Sequence, residues 1–268
     1  MDLPGSVSYV PLWLLTLFFF GALLAAREFG AFLRTRQNLR RARKVAQGDV
    51  DAGEGDSFST NTVLGLLALL IGFTFSLALG RYDERRTLVL HEANALGTTW
   101  LRTDLLDAPD AERVRAVLRR YIDARVDFAN ARNAQEEVEQ YARTSALQTE
   151  LWAAVMNATA SFRDTPRASL MVITTNESID LAGERFAARQ AHIPHRILRM
   201  LFLFALFAAG LLGYERVRQR TSTTLLLLLF SLAVGLVLDL DLPSTGGIQV
   251  PQQPMLDLQH SVAHPSPP

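Results

Sequence analysis

Several features that mark common functional classes are missing from this sequence. It contains no cysteine, which excludes disulfides, thiol catalysis and cysteine-ligated metal sites. Its 27 basic residues are balanced by 27 acidic ones, and the lack of a basic excess argues against a nucleic-acid partner. No phosphate-binding loop, dinucleotide-binding fingerprint or Ser-His-Asp arrangement is recognisable. We therefore predict neither an enzyme nor a bound cofactor.

The few histidines do not form a recognisable metal site either. His91 and Glu92 lack the second histidine of a zinc-protease helix. His192 and His195 lie three residues apart, but no carboxylate accompanies them in the sequence. Solvation at a membrane interface is the favoured interpretation of this pair, and we predict no metal.

Four apolar blocks dominate what the sequence does contain. They cover residues 7–26, 63–80, 197–214 and 221–238. Each block has roughly 18–20 residues, which as a helix spans about 27–30 Å and matches the hydrocarbon thickness of a bilayer. They predict an all-α integral membrane protein with four transmembrane helices in the lipid bilayer of a bacterial inner membrane. The predicted organisation is residues 1–80 with a basic connecting loop at 27–60, an extramembrane domain at 81–196, helices three and four within 197–240, and a tail at 241–268.

The predicted domain at 81–196 is helical, with little glycine or proline and almost no strand pattern. Apolar residues recur at helical spacing over 110–131, and further helices are predicted at 134–161 and from Pro166 toward Arg189. The second transmembrane helix is predicted to continue out of the membrane to about Leu106. Its exposed surface would carry Glu84, His91, Glu92 and Asn94.

The distribution of positive charge predicts an orientation. Seven basic residues lie between Arg27 and Lys44, and three more between Arg216 and Arg220, whereas the tails before the first and after the fourth span have none. The positive-inside rule therefore places residues 27–60 and 215–220 in the cytoplasm. The domain at 81–196 and both termini would then face outward.

Small residues recur at four-residue spacing in each span. They are Ala22, Ala26 and Gly30 in the first span, Ala68, Gly72, Ser76 and Gly80 in the second, Ala205, Ala209 and Gly213 in the third, and Ser231 and Gly235 in the fourth. Tight helix packing is the favoured explanation. The alternative is that one such face, in the second span, lines a pathway to which Thr74 and Ser76 add polarity. A proton relay is disfavoured, because no Asp, Glu or Lys lies in the middle of a span.

Two carboxylates at the C-terminal end of the fourth span oppose the helix dipole. For Asp239 and Asp241, interfacial solvation, pairing with Arg196 or Arg199, and a cation site all remain open. The glycines and prolines that follow, from Gly246 to Pro254, predict a turn and a short tail.

One segment is similar to a known family. The run GFTFSLALGRYDERR at 72–86 resembles the end of the second membrane helix of bestrophins, where a Gly-Phe pair precedes an arginine and an aromatic residue. Most of residues 60–260 resembles the bacterial bestrophin-like family. The residues that carry this likeness are Arg81, Tyr82, Asp83, Arg85, Glu92, Asn94, Gly97, Asp239, Asp241 and Pro243.

The resemblance implies a function and a set of pore residues. Bestrophins are pentameric anion channels whose second helix lines an apolar neck, so the resemblance implies a homo-oligomer that passes anions. It implies pore or packing roles for Ile71, Gly72, Phe73, Thr74, Phe75, Ser76, Leu77 and Gly80. It also implies a cytosolic domain between helices two and three, opposite to the orientation that the charges predict. The alternative function is a membrane-anchored scaffold or sensor whose helical domain binds a partner or ligand.

Overall fold

A computed structural model of the chain describes residues 11–46, 60–131, 133–216, 219–242 and 246–264. These ranges contain eight α-helices and no strand: α1 (Leu12–Ala46), α2 (Thr60–Arg102), α3 (Ala108–Ala129), α4 (Ala134–Ala158), α5 (Pro166–Gln190), α6 (His195–Glu215), α7 (Arg220–Asp241) and α8 (Gln253–Ala263). Short 3-10 turns follow α2 at Thr103–Leu105 and α4 at Ala160–Phe162.

Four helical segments of the described chain are long and apolar enough to cross a membrane. They are Leu12–Arg43, Thr60–Leu105, Pro166–Glu215 and Arg220–Asp241, the third of which includes both α5 and α6. The predicted fold class, with four transmembrane helices and a helical domain inserted between the second and third, is confirmed. The predicted boundaries of the domains stay predictions.

The first helix differs from its prediction at its C-terminal end. Residues 27–46 were assigned to a basic connecting loop, but α1 continues through them to Ala46. Beyond Gly30 this stretch has no glycine or proline, and its many arginines, glutamine and leucines favour a helix. High charge ends a hydrophobic span without ending a helix. Residues 7–10 and 47–59 lie outside the described part of the chain.

The chain divides into two compact units, of which the first contains residues 1–79 and 193–241. Here α1 packs against α6 and α7. A Cβ atom added at Gly30 would overlap the carbonyl of Gly210, and one at Gly213 would overlap the carbonyl of Arg27. At Gly235 the added atom would lie 2.7 Å from Oγ1 of Thr16. Glycine is required at Gly30 and Gly213 because the backbones approach too closely there for any side chain.

Large apolar side chains fill the remaining core of the first unit. Leu23 of α1, Leu67 of α2 and Leu227 of α7 are almost completely buried. The rings of Phe19 and Phe202 meet edge to face with centroids 4.6 Å apart.

The second unit contains residues 80–192 and 242–268. Two of its helices, α4 and α5, begin at residues whose side chains cap them. Asn133 Oδ1 accepts a hydrogen bond from the Glu136 amide at 2.8 Å, and Thr165 precedes a proline in the first turn of α5. Its core is formed by apolar residues of α2, α3, α4, α5 and α8, among them Leu96, Leu118, Leu151, Met171 and Met255.

The prediction of a turn and short tail after residue 241 was wrong for residues 253–263. These residues form α8, which packs against α3 and buries Met255 and Val262. Pro254 suggested a turn, but it lies in the first helical turn, where the missing amide costs no hydrogen bond. Pro243 lies outside the described residues.

Candidate functional site

The second transmembrane helix has one face that no described part of the chain covers. Buried residues recur along it at Val63, Leu67, Ile71, Thr74 and Ala78. The small residues predicted from the sequence, Ala68, Gly72, Ser76 and Gly80, are all exposed instead. A Cβ atom added at Gly72 or Gly80 would meet no described atom within 4 Å. We call these four residues the open face of α2.

The small residues of the other spans have different surroundings. Ala205 and Ala209 of α6 are buried, as is Gly213, and Ala22 and Ala26 of α1 are half-buried. In α7, Gly235 is buried and Ser231 donates a hydrogen bond to the Thr16 carbonyl at 2.9 Å. In these three helices the small residues allow close packing within one chain. The small residues of the open face of α2 make no such contacts with the described part of the chain.

The apolar pore candidates divide between two sides of α2. Phe73 is 67% exposed and Leu77 38%, next to the open face. Phe75 is half-buried. Ile71 is buried, and Thr74 is buried with its hydroxyl donating to the Leu70 carbonyl at 2.6 Å. Ile71 and Thr74 therefore face the core of the same chain.

The second unit contains a buried charged cluster around Glu92. The prediction that Glu92 lies on an exposed surface was wrong, because its side chain is fully buried. Arg185 donates to Oε2 of Glu92 at 2.6 Å, and Arg125 donates through Nε and, at 3.2 Å, through Nη2. Each carboxylate oxygen therefore receives an arginine donor, which compensates much of the cost of burying the charge.

Phe128 lies among the arginines of this cluster. Its ring centroid is 4.6 Å from the guanidinium carbon of Arg125, 5.7 Å from that of Arg185 and 5.2 Å from that of Arg189. Arg189 also pairs with Glu137 at 2.6 Å. The negative face of an aromatic ring attracts nearby cations, so Phe128 helps to hold several like charges close together.

Burial and charge set the protonation states at this cluster, whose residues lie outside the four apolar blocks of the sequence at 7–26, 63–80, 197–214 and 221–238. Burial opposes ionisation of Glu92, but Arg125 and Arg185 outweigh this effect and hold the pKa of Glu92 below its usual value. Burial raises the pKa of Tyr121 to about 12. The Tyr121 hydroxyl accepts from Gln148 at 3.1 Å. At neutral pH, Glu92 is therefore ionised and Tyr121 is neutral.

Beside this cluster is a cavity of about 470 Å³. Arg185 lines it and donates to Gln252 Oε1 at 2.5 Å, and Arg189 also lines it. A third arginine of its wall, Arg85, donates to the carbonyls of Ala188 at 3.0 Å and Ala191 at 2.7 Å.

The other residues of the predicted family motif are distributed over the fold. Asp83 and Asn94 are exposed, and Arg81, Tyr82 and Asp239 are partly exposed. Gly97 is in the second unit, where an added Cβ atom would lie 3.4 Å from Leu258. Asp241 is buried and its Oδ1 accepts from the Ile193 amide at 2.8 Å, just before α6 begins. Among the described residues, no group of three or more His, Asp or Glu could hold a metal ion.

Sequence reasoning overlooked Arg125, Arg185, Arg189 and Glu137. A signal for the first two was present, because they occupy positions that the helical pattern assigns to the core. Arg125 follows Tyr121 by four residues and Arg185 follows Ala182 by three, each within a buried stripe. A charged residue at a core position predicts a buried partner of opposite charge.

The fold and the open face of α2 define an all-α integral membrane protein with a helical domain between its second and third apolar helices. The family model of the Bestrophin-like domain matches residues 56–255 of the sequence. The chain therefore belongs to the Bestrophin-like family, as the sequence resemblance predicted.

Solved structures agree with this assignment at the level of the fold. A variant of a bacterial bestrophin homologue from Klebsiella pneumoniae has a TM-score of 0.64 at 12% identity, covering 90% of this chain and 97% of that one. Another variant of a homologue from the same organism has a TM-score of 0.64 at 13% identity, with coverages of 92% and 97%. A structure described as a membrane protein has a TM-score of 0.65 at 12% identity, also with coverages of 92% and 97%. No curated protein matches the chain.

Proposed function

We propose that the protein is an oligomeric channel permeable to small anions, with α2 of each subunit contributing to the neck. The observation that carries this proposal is the open face of α2, whose four small residues are exposed and whose two glycines have no described neighbour within 4 Å of an added Cβ atom. In a bilayer such a face suits close approach to another subunit, or a water-filled path. Membership of the Bestrophin-like family supports the proposal.

The charge of α2 is compatible with anion passage. Between Thr60 and Gly80 the helix has no acidic residue, so no side chain of this stretch repels an anion. Phe73 and Leu77 lie exposed beside the open face and are suited to form an apolar constriction. Apolar constrictions and backbone dipoles can gate and select ions without charged side chains.

The proposal includes a location and an orientation. We place the protein in the bacterial inner membrane as a homo-oligomer, with the basic residues after the first span in the cytoplasm. The second unit then faces outward. Bestrophins have the opposite arrangement, so the orientation is tested separately below.

Chloride efflux from liposomes that contain the purified protein tests the channel. We expect efflux above that of empty liposomes and little potassium efflux. Phe73→Ala should raise chloride efflux several-fold, because it removes an exposed ring from the neck. Leu67→Ala is the matched control, since Leu67 is 1% exposed and belongs to the core of its own subunit.

Three results would contradict this proposal. Chloride efflux no faster than from empty liposomes would refute the channel function. Equal effects of Phe73→Ala and Leu67→Ala on efflux would refute the assignment of the neck. Chemical crosslinking of the purified protein should also give a ladder of species, and a monomer alone would rule out the oligomer.

A further inference from the structure

The cavity of the second unit has an unusual lining for the interior of a helical domain. Three arginines and three side-chain amides contribute to its wall, and none of its described lining residues is acidic. The polar residues are Arg85, Arg185, Arg189, Asn130, Gln249 and Gln252. Val89, Ala129, Ala131 and Val250 complete the wall. The lining therefore offers many hydrogen-bond donors that carry positive charge.

The arginines of the wall are held in place by the protein and are largely removed from water. Arg85 is 4% exposed, Arg185 5%, and the side chain of Arg189 10%. The carbonyls of Ala188 and Ala191 fix Arg85, and those of Phe128, Ala129 and Ala131 accept from Arg189. A guanidinium that is already ordered loses little entropy when it binds a ligand.

Positive charge exceeds negative charge around the cavity. Arg125 and Arg185 share Glu92, and Arg189 pairs with Glu137. These are three arginines against two glutamates, and Arg85 adds a further guanidinium to the cavity wall. Charges act strongly on one another where water is excluded, and an anion in the cavity would lower their repulsion.

We infer that this cavity binds a small oxyanion of the carboxylate or phosphate class. Guanidinium groups present paired donors that match the oxygens of both classes, and the three amides add neutral donors. A volume of about 470 Å³ lies within the usual range of small-molecule sites. The inference goes beyond the proposed channel, because binding at this cavity requires no ion flux and involves no residue of the open face of α2.

Calorimetric titration of the full chain in detergent tests the inference at constant ionic strength. The probes are inorganic phosphate and succinate, with glycerol as an uncharged control. Gln249→Glu places a carboxylate in the wall at an exposed position without removing an arginine. It should weaken phosphate and succinate binding at least tenfold, whereas Gln249→Lys should retain or strengthen it. Gln135→Glu makes the same change at an exposed position of α4 that does not line the cavity, and should leave affinity unchanged.

A thermal unfolding curve of each variant separates loss of binding from loss of folding, and both anions should raise the unfolding temperature of the wild-type protein. Heats of phosphate and succinate no larger than those of glycerol would overturn the inference. It would also be overturned if Gln249→Glu and Gln135→Glu weakened binding equally, because the anions would then respond only to total charge. Short-chain phosphatidic acid, used below its micellar concentration, tests whether the natural ligand is a lipid headgroup. It should compete with phosphate if the site accepts the lipid form. It should not compete if the site accepts only free oxyanions.

Discussion

Replacing Glu92 with glutamine should destabilise the protein more than any other loss of a single charge among the described ion pairs. The change keeps the shape of the side chain but removes its charge. Arg125 and Arg185 would then face each other in the core without a carboxylate between them, and their side chains are 0% and 5% exposed. Since both arginines are largely removed from water, their repulsion is only weakly screened by solvent.

The structure allows a rough magnitude. Removing one partner of a buried ion pair costs about 3–5 kcal/mol, because the remaining charge is left uncompensated. A loss of 1 kcal/mol lowers the unfolding temperature of a domain of about 150–250 residues by about 2–4 °C. Glu92→Gln should therefore lower it by about 6–20 °C.

Thermal unfolding followed by circular dichroism in one detergent, at a fixed scan rate, measures this effect. Glu150→Gln is the matched control. Glu150 pairs with Arg120 at the surface, where their side chains are 48% and 54% exposed, so its loss should not change the unfolding temperature measurably. Equal shifts for the two variants would refute the argument, because the Glu92 pair would then contribute no more than a solvated one.

Two further predictions concern the packing and the orientation of the membrane helices. Gly213→Ala should lower the free energy of unfolding by about 1–3 kcal/mol, and with it the unfolding temperature, through overpacking against the Arg27 carbonyl. Gly72→Ala should leave the unfolding temperature of the monomer unchanged, because no described atom lies near an added Cβ atom there. Equal unfolding temperatures for the two variants would contradict the assigned packing. Because the chain has no cysteine, Ser145→Cys and Asn38→Cys give single-thiol proteins with exposed labelling sites. A membrane-impermeant maleimide applied to spheroplasts should label the first and not the second, and the reverse pattern would place the second unit in the cytoplasm.

Local patterns were sufficient to predict most of the helices. Runs of apolar residues located the four membrane segments, and the spacing of residues such as Val114, Leu118 and Tyr121 located α3. The end of α1 and the whole of α8 were not predicted. In both cases a feature that ends a hydrophobic pattern, namely high charge or a proline, does not end the helix.

The charged cluster could not be predicted as an assembly. Glu92 contacts Arg125 from 33 positions away and Arg185 from 93 positions away, so no local pattern connects them. The same is true of the cavity wall, which combines residues of α2, α3, α5 and the segment before α8. Sequence could indicate only that a charge lay at a core position, and the partners depended on how the helices pack.

The open face of α2 could be predicted in part. Its four small residues were predicted as a set, because the spacing is local. Nothing in their spacing separates them from the similar residues of the other three spans. Only the packing of α1 against α6 and α7 shows that those small residues have neighbours within one chain.

The position of α8 has a consequence for how the protein is made. Because α8 packs against α3, residues on either side of the stretch 193–241 must end on the same side of the bilayer. That stretch must therefore cross the membrane an even number of times, which α6 and α7 together satisfy. Met255 and Val262 are synthesised after both of these helices. They therefore join a domain whose other helices have already reached their side of the membrane. The part of the core that Met255 and Val262 complete must therefore close after membrane insertion. A chain stalled before residue 253 would leave a hydrophobic surface for quality-control proteases to recognise.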